Sequence, residues 1–372
     1  MLVKTTPMSL TLNPNPIMHY AGIDYHKRYS VVHVLDESGE TVGKGRINHD
    51  RPANFRDFFD SIGGSFSVVF EASMNWHWLH DILEEIDSIE SIVMAHPYKT
   101  RIIAEAQVKS DKIDARLLAQ LLRGDLICKA YACGREARHR KELVRQRAFW
   151  VRIRTSLRNR VHRLLGGEHD LQLPEVSDLF GRKGIGVLNK LELHEPAGMQ
   201  LKQNLRMLSE LNQHIKTVEK SLDDEIGSDE NVIRLKSIPG IGPIIAAVIV
   251  SEIDHIERFN SSNKFCSYAG LIPSSSSSGG KTHNGKLVAR CNRWLRWAFV
   301  EAAWVAVGCD GYFGSLYRQH KARGKKPNTA IMIVARRMCQ ITYRLLTEKR
   351  EYSAAPLNDK TFPGGSEVRM AV

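Results

Sequence analysis

Apolar positions along the chain follow two different periods. Up to about residue 95 they form short runs bounded by polar clusters: HYAGID (19–24), SVVHVLD (30–36), TVGKGRI (41–47), SVVF (67–70) and SIVMA (91–95). Their length and β-branched content predict strands, and ESGE (37–40) predicts a turn after the second. Helices are expected over Pro52–Ile62, Trp76–Ile86, Ile102–Ala106 and Lys112–Leu122, giving the order β-β-β-α-β-α-β-α. Beyond residue 130 the period becomes helical. Leu143, Trp150, Leu157 and Leu164 recur every seven residues with Val161 between, so a helix with one apolar stripe is expected over 135–165. A second long helix is expected over 199–226. Leu201, Leu208, Ile215 and Leu222 form one series there, Leu211 and Val218 another, with Leu205 offset by one. This approaches a heptad seam. It fits a short coiled coil, within the chain or between subunits, and equally an amphipathic helix packed on its own domain. Gly184 and Gly186 punctuate the connector before it.

In LKSIPGIGPIIAAVIVSEI (235–253), PGIG between two helical stretches resembles a helix-hairpin-helix, whose glycine turn presents N–H groups to a phosphate. A plain αα-hairpin fits it too. Ser274–Gly280 reads as a flexible loop, with Lys281, Lys286, Arg290, Arg293 and Arg296 just after it, and helices continue through Thr329–Leu346. The expected domains are a disordered leader (1–17), an α/β domain (18–130), a basic helix and coiled-coil region (131–230), a mostly α C-terminal domain (231–348) and a disordered tail (349–372).

At 372 residues and 42% apolar, the chain suits two or three domains with proper cores. It has no apolar run of about 18 residues, which argues against a membrane span. Pro7, Pro14 and Pro16 interrupt the N-terminus, against a signal peptide. Six cysteines without CxxC or zinc-like spacing suit reduced thiols, so a soluble, cytoplasmic protein is expected. The net charge of +12 favours a polyanionic partner. Much of it is local: residues 129–165 hold twelve Lys and Arg against Glu136 and Glu142. An ordinary charge run is a solvated helix face. Dominance by arginine, the residue best suited to phosphate, instead predicts a backbone-gripping helix carrying Arg145, Arg147, Arg152, Arg154, Arg158, Arg160 and Arg163.

Four carboxylates carry the candidate chemistry. Asp24 and Glu71 end predicted strands, and Asp111 and Asp114 are spaced i, i+3 on one helix face. Acids on the first strand, the fourth strand and a late helix match a ribonuclease H-like fold. Clustered carboxylates repel and are tolerated around cations such as paired Mg²⁺, which predicts metal-assisted phosphoryl transfer. A serine from the 274–278 run offers a second chemistry, attack on phosphorus, although serine-rich runs are commonly linkers. Lys109 is a candidate backbone contact. His26 and Lys27 suit either phosphate contact or a structural role. Trp76 and Trp78 suit helix packing better than stacking on a base, and Trp294 and Trp297 read as core.

GIDYHK, VVFEAS, KSDKIDARLLAQLL, the Arg-rich helix, IPGIGPIIAA and YAGLIPSSSSSGGKTHNGK together resemble the DEDD-type transposases of bacterial insertion-sequence family one-hundred-and-ten. The resemblance runs from about His19 to Leu346. It implies a RuvC-like domain with Asp24, Glu71, Asp111 and Asp114 binding Mg²⁺, with Mn²⁺ as an alternative. It also implies a coiled coil aiding assembly into a dimer or tetramer, and a C-terminal domain with a nucleophilic serine. In the family that serine lies in a P-x4-SG pattern; Pro273 through Ser278-Gly279 fits, so Ser278 is the choice and Ser277 the nearest competitor. The implied partners are donor and target DNA and a structured guide RNA from the element, in the nucleoid of a bacterial cytoplasm. Lys281, Arg290 and Arg293 would neutralise phosphate near the serine. Two rivals remain at this level: a RuvC-like junction resolvase or nuclease that hydrolyses DNA with the acids alone, and a non-catalytic helix-hairpin-helix binder.

Overall fold

The computed structural model describes residues 17–103, 111–167, 175–278 and 281–353. The expected leader therefore lies outside the described residues except for Ile17, and the tail does so beyond residue 353. The chain divides into two compact units on either side of Ala132 and Cys133.

The first unit is mixed α/β. Its elements in order are β1 (Met18–Tyr25), β2 (Tyr29–Leu35), β3 (Thr41–Asn48), α1 (Ala53–Ile62), β4 (Ser65–Glu71), α2 (Trp76–Glu84), β5 (Ile89–Ala95), α3 (Pro97–Ile103) and α4 (Asp111–Arg123). The strands form one sheet in the order β3-β2-β1-β4-β5. The β1-β2 and β2-β3 pairs are antiparallel, and β4 runs parallel to both β1 and β5. The helix expected at 102–106 instead begins at Pro97, a residue whose fixed φ and missing N–H suit a first turn.

Strand alternation splits the core in two. Ala21, Ile23, Val32, Val34, Phe66, Val68 and Phe70 face α1 and α2, where Phe55, Phe59, Leu79 and Leu83 are buried against them. Val69 and Ala95 face the other way, against Leu118 and Leu121 of α4. Gly22 points to this second face. A Cβ built on it would lie 2.1 Å from the Ala115 carbonyl oxygen and 2.5 Å from the Ala119 nitrogen. The backbone of α4 thus rests directly on β1, and only glycine leaves room for it.

The second unit is mostly helical: α5 (Arg135–Gly166), α6 (Arg182–Lys190), α7 (Ala197–Ile226), α8 (Glu230–Lys236), α9 (Pro243–Ile253) and α10 (Ser262–Tyr268). Next come β6 (Pro273–Ser278), β7 (Lys281–Leu287), α11 (Arg293–Cys309), α12 (Gly311–Ala322) and α13 (Pro327–Glu348). Val161 and Leu165 near the end of α5 share a core with Leu201, Leu205 and Leu208 near the start of α7. Val144 near the start of α5 packs with Leu222 and Ile226 at the end of α7. The two helices are therefore antiparallel, and the heptad stripe is buried within one chain.

Two expectations change here. The Gly184/Gly186 connector contains a helix, α6, because Gly184 packs against the 178–179 backbone while Leu188 joins the α5–α7 core. The Ser274–Gly280 stretch is not a free loop over 274–278: it is strand β6, paired antiparallel with β7. Serine has no strong strand preference, and the cross-strand ladder overrides the local signal. The PGIG turn packs inward: Gly240 has φ +87°, and a Cβ there would lie 2.2 Å from the Ala302 oxygen of α11.

These contacts make opposite predictions for two glycines. Gly22→Ala drives a methyl group into the α4 backbone and is expected to destabilise the protein by about 1–3 kcal/mol. Gly186 lies inside α6 with nothing within 4 Å of a built Cβ. Gly186→Ala is expected to stabilise by about 0.5–1 kcal/mol. Denaturant melts of both variants check the pair.

Candidate active site

Asp24 ends the same face of β1 as Gly22, two residues further on. Because α4 is seated on Gly22 through Ala115 and Ala119, its first turn, which carries Asp111 and Asp114, comes level with the end of β1. Both acids also suit the positive end of the helix. After Tyr25 the chain turns tightly, with the His26 N–H donating to the Tyr29 carbonyl at 3.0 Å. This puts the His26 imidazole between two carboxylates: Nε2 is 3.1 Å from Asp24 Oδ2 and 3.2 Å from Asp111 Oδ2. The Tyr29 hydroxyl donates to Asp111 Oδ2 at 3.0 Å. The Arg46 guanidinium lies 3.7 Å from the centre of the Tyr29 ring.

Burial raises the Asp24 carboxyl above its ordinary value of 3.8; His26 pulls it down, and Asp111 and Asp114 push it up again. Like charges are thus concentrated where solvent screens them poorly. Donor atoms of Asp24, His26 and Asp111 lie within 4.8 Å of one another, and two carboxylates with an imidazole suit a divalent cation. The residues present can therefore hold one. Glu71 stands at the end of the neighbouring parallel strand, since Ile23 pairs with Phe70 one residue before Asp24 and Glu71. It shares the α4-facing side with Val69 but is exposed, and it is not among the three converging donors. His26 is the residue that sequence reasoning undervalued. The available signal was its position two residues after Asp24, at the polar end of the apolar run.

The remaining candidates are distributed as follows. Lys109 lies outside the described residues. In the second unit the backbone of Ser278 pairs with Lys281, the last pair before the tip, and that of Ser277 with Thr282. Arg290 and Arg293 are exposed just beyond β7. The arginines of α5 divide by partner. Arg145 bridges to Glu252 at 3.0 Å, and that buried carboxylate also accepts from Asn292 Nδ2 at 2.8 Å. Arg147 pairs with Glu219 of α7 at 2.7 Å, and Arg154 donates to Asn212 at 3.4 Å. Arg158 lies 5.0 Å from the centre of the Phe180 ring. Arg152 and Arg160 are exposed.

Comparison with known proteins assigns the class. A family profile described as "Transposase", of the DEDD type named for IS110, matches residues 21–169, which hold the carboxylate cluster and α5. A second, described as "Transposase IS116/IS110/IS902 family", matches residues 233–318, from α8 through the serine strand into α12. The "Probable family 20 transposase" of Pseudomonas aeruginosa is 24% identical, over 89% of this chain and 97% of its own. The "Transposase for insertion sequence element IS1328" of Yersinia enterocolitica is 23% identical, over 91% of this chain and 99% of its own. The α/β unit with its acids is a DEDD transposase domain, and the protein is an enzyme of DNA transposition. More narrowly, the chain belongs to the IS110/IS116 family of insertion-sequence transposases. Among the described residues no helix is long and apolar enough to cross a membrane.

The upward shift at Asp24 has a testable sign. An aspartate whose folded value exceeds its unfolded one holds more protons folded than unfolded between the two values, so stability falls as pH rises through that window. Asp24→Asn is expected to raise the melting temperature of the metal-free protein at pH 7, with the gain disappearing below about pH 4. Mg²⁺ is expected to stabilise the wild type by mass action and to leave Asp24→Asn nearly unmoved. Calorimetric scans with and without the ion, at both pH values, check this.

Proposed function

We propose that this transposase cuts and rejoins donor and target DNA through a covalent phosphoserine on Ser278. The reading gives the first unit a ribonuclease H-like, RuvC-like role, in keeping with the β3-β2-β1-β4-β5 order and its acids at the ends of β1 and β4 and the start of α4. The observation that carries it is the convergence of Asp24, His26 and Asp111, two mutually repelling carboxylates and an imidazole whose spacing fits a divalent cation. Asp24, Asp111, Asp114 and Glu71 would hold Mg²⁺ or Mn²⁺, which supplies charge stabilisation at phosphorus when bound.

Ser278 Oγ attacks the scissile phosphorus. A bond forms between Oγ and phosphorus, the bond from phosphorus to the 3′-oxygen breaks, and the serine proton ends on the departing 3′-hydroxyl. The 5′-phosphate stays on the protein until the 3′-hydroxyl of the exchanged strand attacks and returns the proton to Oγ. No water is consumed, so strands are exchanged rather than only cut. Lys281, Arg290 and Arg293, close to Ser278 in sequence, would neutralise the phosphate, and Lys109 would contact the backbone beside the acids. The acids and the serine belong to different units, so this chemistry needs a composite site. The family resemblance supports selection of DNA partners by a structured RNA from the element, and assembly as a dimer or tetramer.

The test is a search for the adduct. Protein, Mg²⁺, the element-end RNA and labelled DNA are incubated, denatured, digested and analysed by peptide mass spectrometry. A phosphonucleotide on the Ser278 peptide, lost in Ser278→Ala and in Asp24→Asn, is the expected result. Cleaved ends without adduct, unchanged in Ser278→Ala, would establish a hydrolytic nuclease instead.

A further inference from the structure

Seven of the ten arginines of α5 lie in a stretch without a single acid, from Leu143 to Gly167. Their partners separate them into two sets. Arg145, Arg147, Arg154 and Arg158 are engaged by Glu252, Glu219, Asn212 and Phe180 respectively. Arg152, Arg160 and Arg163 are exposed and have no ion pair or hydrogen bond among the described residues. They recur at i, i+8 and i+11, which places them on one helix face away from the α7 seam. Thr155, Ser156 and Asn159 lie between them, also exposed, and the six residues line one open recess of about 600 Å³. The Thr155 hydroxyl donates to the Val151 carbonyl at 2.9 Å, which leaves its lone pairs outward.

We infer that this face of α5 is a docking surface for the sugar-phosphate backbone of double-stranded DNA, and that it does not read bases. The inference rests on the DNA-transposase assignment and narrows where the DNA lies. Three guanidinium groups without an ion pair or hydrogen bond among the described residues spread over about 16 Å of helix, the length of roughly five base pairs, and supply charge for three phosphates. Hydroxyl and amide groups between them are the side chains that contact phosphate and sugar. No Phe, Tyr or Trp occurs from Arg152 to Arg163, so the face has no platform for stacking the bases of a single strand. The other four, by contrast, hold α5 to α7, α9 and the Phe180 segment: carboxylates neutralise Arg145 and Arg147, while a neutral amide and an aromatic ring engage Arg154 and Arg158.

The test uses the full-length protein in EDTA, so that the carboxylate cluster contributes no metal-dependent binding. Affinity for a random-sequence DNA duplex of about 20 base pairs is measured by fluorescence anisotropy between about 50 and 200 mM salt. The triple variant Arg152→Gln/Arg160→Gln/Arg163→Gln is expected to flatten the slope of log K against log salt by about 2.7, or roughly 0.9 for each phosphate no longer neutralised. Its melting temperature should match the wild type, because these side chains are exposed and have no ion pair or hydrogen bond among the described residues. Ser156→Glu, which plants a carboxylate mid-face, should weaken binding in the same direction if the triple variant folds poorly. The pair Arg147→Gln/Arg154→Gln should lower the melting temperature and change the slope by less than one. A triple variant with the wild-type slope overturns the inference, and so does a weakening seen only with an RNA duplex. Asp24→Asn should keep the wild-type slope while losing strand transfer, so failure of this surface and failure of the proposed chemistry give different results.

Discussion

The contact between the α4 backbone and Gly22 sets the geometry of the α/β unit. With no side chain at residue 22, helix and strand approach until the Ala115 carbonyl and Ala119 nitrogen occupy the space a methyl group would need. That approach fixes the height of α4 on the sheet and so brings Asp111 and Asp114 level with Asp24. A carboxylate cluster cannot assemble by attraction among its own members, because they repel. It has to be held together by apolar packing elsewhere, here Leu118 and Leu121 against Val69 and Ala95 on the same sheet face.

His26 and Tyr29 moderate that repulsion. The imidazole lies between Asp24 and Asp111, and the phenol gives a hydrogen bond to Asp111 while Arg46 rests on its ring. Both come from the tight β1-β2 turn, so one short segment supplies the acid, its imidazole neighbour and the group that orients the second acid. Burial still holds Asp24 above its ordinary value, and the Asp111 and Asp114 charges add to that shift.

The helical unit handles charge in the opposite way. Glu252 is buried, and it is tolerated because Arg145 and Asn292 both reach it; Asn292 in turn caps α11 through the Trp294 and Leu295 N–H groups. One carboxylate thereby ties α5, α9 and α11 together just after the serine strand. Removing a single partner would strand a buried charge, a more costly change than losing a surface pair. An arginine-rich helix can therefore be partly scaffold and partly binding face, with residues only a few positions apart serving different ends.

Much of this was legible in the chain itself. Five strands, the long helices and the placement of Asp24 and Glu71 at strand ends follow from hydrophobic period, because burial of one face imposes that period wherever an element packs. The i, i+3 pair Asp111 and Asp114 was equally plain. Local pattern carries no information about which partner a polar side chain meets, so the role of His26 and the division of the α5 arginines emerged only from the tertiary structure. The same holds for the serine run, which looks like a loop by composition and is a strand because β7 offers it a ladder. Gly22 is the sharpest case: within GID it is one small residue in an apolar strand, and its importance comes entirely from a helix that begins about ninety residues later.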